Sequence, residues 1–153
     1  MLIFKEDGYM RNLVSLFAAS LVFLVTVYLM VVAYVYARGT AIDFTSFATS
    51  SAFWSCAGTT LVALSVGYGF CERLIIIVAR LVTVRLRLMH GISFALFVLA
   101  VICATFLPIA EYSASVLALV TFFSTAAAFL GGYARGWLID HWTDGTSHRV
   151  SAA

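Results

Sequence analysis

Few residues in this chain could carry acid–base, redox or metal chemistry. They are His90, His141 and His148, Cys56, Cys71 and Cys103, and seven acids, of which only Glu72 adjoins the inner end of a span. Asp140, Asp144 and His148 follow at steps of four, which would stack them on one helical face as metal ligands. Gly145 and the polar tail argue against that helix, and His141 falls on another face, so no metal is expected. A haem inside a bundle needs axial ligands on facing helices. The histidines are expected at or beyond one rim of the membrane, so no cofactor is expected either. No HExxH, GxSxG or Gly-rich phosphate loop occurs. The cysteines form no CxxC pair and read as small apolar residues in or beside spans, although a Cys56–Cys103 disulfide is open. Glu72 is followed at once by Arg73. Burying either ion in lipid is costly, so the expectation is an interfacial charge pair where a span ends. The sharper alternative makes the two a gate or an intersubunit contact.

The elements that must position these groups follow from composition. The chain is 63% hydrophobic and 10% charged, with a mean hydropathy of +1.06. Soluble domains run near ~25% charged. A net charge of +2 over 153 residues is too weak a signal for nucleic acid. The expectation is an all-α integral membrane four-helix bundle, one polytopic domain over residues 1–153. The first span, residues 13–37, has no charge, and at 1.5 Å per residue it is about 37 Å long, enough to cross a ~30 Å core. Lys5, Glu6, Asp7 and Arg11 precede it without a cleavage signature, so it reads as a retained span, not a signal peptide. Residues 38–51 form a Ser/Thr-rich loop. The second span covers 52–71 and continues through 72–90 as an arginine-striped amphipathic helix. Gly91 marks a break, the third span covers 92–107 and ends at Pro108, and Glu111 lies in a tight turn. The fourth span covers 116–133, and residues 143–153 form a polar, mobile tail.

Arg73, Arg80 and Arg87 lie at seven-residue steps and share a narrow helical arc, with Arg85 off it. Long basic side chains can bury aliphatic stems while their heads reach lipid phosphates, so these four are candidates for headgroup or partner contact. With the N-terminus inside, the inner segments hold Lys5, Arg11, Arg73, Arg80, Arg85, Arg87, Arg135 and Arg149, and the outer ones only Arg38. The positive-inside rule then predicts both termini in the cytoplasm, in a bacterial-type inner (plasma) membrane.

Two four-residue stripes of small side chains suggest how the helices meet. One runs Ser55, Thr59, Ala63, Gly67, Cys71, and the other Ser124, Ala128, Gly132, Gly136. Small faces let backbones approach closely in lipid, so Thr59, Ala63, Gly67, Ala128, Gly132 and Gly136 are the candidate packing residues, within one chain or between chains. The first span, nearly free of such a stripe, is expected to face lipid.

The expected function is that of a non-catalytic membrane subunit that oligomerises or docks with other membrane proteins, its partners being lipid, itself or other membrane chains. The alternative is a homo-oligomeric pore, channel or transporter lined by Thr59, Thr60, Ser65 and Tyr68, with the arginine helix as inner vestibule.

Overall fold

The computed structural model describes residues 3–39, 43–106 and 113–150. These form helices α1 (Ile3–Ala37), α2 (Phe44–Thr49), α3 (Ser51–Val82), α4 (Leu86–Phe106) and α5 (Ala114–Val150). No strand occurs among the described residues. Four helices are long and apolar enough to cross a membrane, over Gly8–Ala37, Ser51–Val82, Leu86–Thr105 and Ala114–Thr143. That is compatible with an integral membrane protein.

Local chemistry sets several of the boundaries. Gly39, at φ +70, ends α1 in the left-handed conformation that only glycine adopts without strain, and its N–H donates to the Tyr36 carbonyl. Within the connection expected to be a loop, Asp43 Oδ1 accepts from the backbone N–H of Thr45 and Ser46 and starts the short α2. Ser50 caps α3 by accepting from Phe53 N–H.

The long arginine helix is interrupted. α3 stops at Val82, Thr83 is extended at φ −154 and ψ 147, and α4 opens at Leu86. The break therefore falls at residues 83–85, where a β-branched trio, Val82, Thr83 and Val84, disfavours continued helix. It does not fall at Gly91, through which α4 runs. Backbone groups in lipid must be paired internally, so one glycine does not end a membrane helix. Arg73 and Arg80 remain on α3, Arg85 stands in the break, and Arg87 belongs to the first turn of α4. α5 also departs from expectation, because its backbone stays helical past Thr143 and Gly145 to Val150. Leu107, Pro108 and Glu111, expected to end the third span and turn the chain, lie outside the described residues.

The helices alternate in direction around a square. α1 and α4 each pack against both α3 and α5, while α3 and α5 stand diagonally opposed. The start of α1 and the end of α5 share one end of the bundle, since Asn12 bonds to Arg135 there. At the centre Tyr68 of α3 meets Phe94 edge-on at 4.9 Å and Phe97 at 5.5 Å, and Phe23 of α1 closes on Phe94 from the other side. Leu16, Ala19, Val98, Ala127 and Ala128 complete this core.

Glycines draw α5 in at that end. A Cβ on Gly132 would overlap the His90 carbonyl oxygen and stand 2.8 Å from Phe94 Cβ. One on Gly136 would stand 2.7 Å from Arg87 Cα, and one on Gly131 would overlap the Ala19 carbonyl. Toward the other end the helices leave apolar grooves. One of about 390 Å³ lies between α1 and α3, against Leu24, Tyr28, Phe53 and Trp54.

Candidate functional site, a buried ion pair across the bundle

The α3–α5 diagonal is bridged by charge. Arg135 of α5, only 1% exposed, places Nη1 2.6 Å from Glu72 Oε1 of α3. Its Nε donates to Ser15 Oγ at 3.1 Å and its Nη2 to Asn12 Oδ1 at 2.6 Å, both on α1. The guanidinium carbon lies 5.3 Å from the centre of the Tyr68 ring. The Nη1 contact is close, yet its angle falls outside that of a hydrogen bond. Glu72 thus neutralises the guanidinium more than it satisfies that donor.

His90 of α4 completes the group. It is 5% exposed, and its Nδ1 lies 4.0 Å from Glu72 Oε1 without a hydrogen-bond partner. Its backbone carbonyl accepts from Ser93 Oγ, which in turn shares a hydrogen bond with Tyr68 OH. One step further along, Ser65 Oγ donates to Ser20 Oγ at 3.0 Å. Polar side chains therefore link all four long helices. Glu72 and Arg135 each stand about 32 Å from the opposite end of their helices, at 1.5 Å per residue. The cluster therefore lies toward the end of the bundle where α1 begins and α5 ends. The Tyr68, Phe94, Phe97 and Phe23 rings close the bundle on its other side.

This arrangement corrects the Glu72–Arg73 pair expected at the interface. Glu72 turns inward, its side chain 15% exposed, while the adjacent Arg73 points away and is exposed. A seven-residue repeat groups arginines by angle but cannot say where the neighbouring acid finds its cation. His90 and Arg135, expected at the rim or exit of spans, are both buried inside the bundle. The signal available in sequence was a pair of opposite charges at matching depths of two apolar runs. Gly91 beside His90, where Phe129 lies against the glycine, marked a close helix contact.

The other residues singled out from sequence separate into distinct places. Arg73, Arg80 and Arg85 are exposed, whereas Arg87 pairs with Asp140, Nη2 to Oδ2 at 2.7 Å. Ala128, Gly132 and Gly136 are buried, and a Cβ on Gly67 would stand 3.2 Å from Phe97. Thr59 and Ala63 lie exposed on α3, outside the packing of this chain, and the Thr59 hydroxyl returns to the Ser55 carbonyl. The pore-lining set divides too, with Thr59 outside and Ser65 and Tyr68 buried and hydrogen-bonded. The cysteines are free. Among the described residues no three His, Cys, Asp or Glu side chains gather as metal ligands do. No protein-family model, curated protein or solved structure matches this chain.

Proposed function

We propose that the protein is a non-catalytic membrane subunit that docks α3 against another membrane helix, supplied by a second copy or by another membrane protein. The observation that carries this reading is the contrast between the two small-residue stripes. On α5 the stripe is spent inside the chain, with Ala128 buried and Gly132 and Gly136 against α4. On α3, Ser55, Cys56, Thr59 and Ala63 remain exposed. Lipid tails gain nothing from such a face, while a second helix gains close backbone contact and hydroxyl hydrogen bonds. Arg73, Arg80 and Arg85, at and just past the other end of α3, support an anionic headgroup contact there, because Glu72 and Asp140 are engaged elsewhere. The charge distribution favours cytoplasmic termini in an inner-type membrane.

Cys56 supplies the test. With Cys71 and Cys103 changed to serine, oxidation in membranes should give a Cys56 cross-link, either a dimer or an adduct with another chain. A variant retaining only Cys103, exposed on α4, serves as comparison. Equal cross-linking at both cysteines, or none at Cys56, would count against docking through α3. A second reading, a small transporter, is favoured by the buried Glu72–Arg135 pair, since ionisable groups inside spans often mark ion or proton paths. Flux across liposomes holding the purified protein separates the two readings.

A further inference from the structure

We propose that Glu72, His90 and Arg135 form a proton-binding site in which uptake of one proton transfers Glu72 from Arg135 to His90. A single oxygen, Glu72 Oε1, faces both the guanidinium and the imidazole, with Arg135 Nη1 at 2.6 Å and His90 Nδ1 at 4.0 Å. His90 Nδ1 is buried and has no hydrogen-bond partner, which is costly for a polar atom. The Glu72 side chain is 15% exposed, so the group is not sealed on every side. The charged groups acting on the imidazole are Glu72 of α3 and Arg135 of α5, with Tyr68 of α3 beside Arg135. α1 brings the uncharged Asn12 and Ser15 to the same cluster. On the imidazole's own helix, Arg87 is held by Asp140.

The step balances simply. A proton from solvent forms one N–H bond at Nδ1, nothing else is made or broken covalently, and raising the pH returns the proton to solvent. Before uptake the Glu72–Arg135 pair is neutral. After it the cluster carries a net positive charge in a medium of low dielectric, and two cations compete for one carboxylate oxygen. Arg135 loses its Nη1 contact but keeps Asn12, Ser15 and the Tyr68 ring when Glu72 leaves, whereas imidazolium Nδ1 has only Glu72. The carboxylate therefore goes to His90. Because α3 and α5 are diagonal and not packed neighbours, losing this bridge frees α3 from α5 and ties it to its neighbour α4.

The test uses the full chain in lipid nanodiscs with its cysteines changed to serine and spin labels at Leu81 of α3 and Trp137 of α5, both exposed. The labels should move apart as a one-proton transition about two pH units wide, within about pH 4 to 9 where a histidine can titrate. In chains labelled with ¹⁵N-histidine, the His90 ring signals should shift over the same interval. Glu72→Gln, which mimics the carboxylate without its charge, should give the longer distance at every pH. His90→Gln should keep the shorter distance and abolish the transition. A distance that ignores the His90 transition, or a His90 that does not titrate in that interval, would overturn the proposal. So would a pH-driven separation that persists in His90→Gln.

Discussion

Cutting the Glu72–Arg135 bridge from either side should destabilise the bundle far more than removing it whole. At 2.6 Å and an effective dielectric of ~20, the gross attraction is about 6 kcal/mol. Desolvation of each ion costs several kcal/mol, so the net worth of the pair is near zero. A single removal is another matter, because it strands the surviving charge. Glu72→Leu leaves a guanidinium that is 1% exposed with only neutral partners, and Arg135→Met leaves a largely buried carboxylate. Each should cost about 3–5 kcal/mol. The double variant puts two apolar side chains of suitable length in their place. It orphans little, since Ser15 Oγ already donates to the Asn12 carbonyl at 2.7 Å and Asn12 is exposed. It should therefore fall within about 2 kcal/mol of the parent, a coupling of several kcal/mol. Equilibrium unfolding in mixed micelles, followed by the native tryptophans, measures all four proteins. A double variant as unstable as the two singles added together would refute the reasoning.

Gly132→Ala should destabilise the bundle by roughly 1–3 kcal/mol, because its Cβ meets the α4 backbone at His90 and Gly91 and not a flexible side-chain tip. Gly58→Ala, with nothing within 4 Å, should be neutral or stabilising by up to about 1 kcal/mol, and the same unfolding assay compares them. Hydrogen bonds from the Thr45 hydroxyl and from the Thr45 and Ser46 N–H groups hold the Asp43 carboxyl below its usual value of 3.8. The capping contribution to α2 is thus complete above about pH 4 and lost as pH falls below it. The amide signals of Thr45 and Ser46 should report that loss, and Asp43→Asn should remove the pH dependence. For orientation, reporter fusions after Thr83 should read inside and fusions after Gly39 outside; the reverse result would invert the membrane placement.

Much of the architecture was legible in the chain because the bilayer leaves few options. An apolar run of twenty residues or more must pair its backbone internally, and helix is the economical way to do so. Hydropathy over the four runs therefore determines the number and approximate extent of the long helices. The Ala128, Gly132 and Gly136 stripe likewise marks a close contact, since only small side chains admit a neighbouring backbone. The break at residues 83–85 had a local signature in its β-branched trio, outweighed by the seven-residue spacing of the arginines. Where the charges go was decided only by the tertiary structure. Glu72 lies next to Arg73 in the chain, yet the square arrangement of helices aims it across the bundle at Arg135, which comes 63 positions later. Helical periodicity states the angle of a side chain about its own axis. It says nothing of which helix stands opposite, and a buried charge is satisfied by whatever the opposite helix presents.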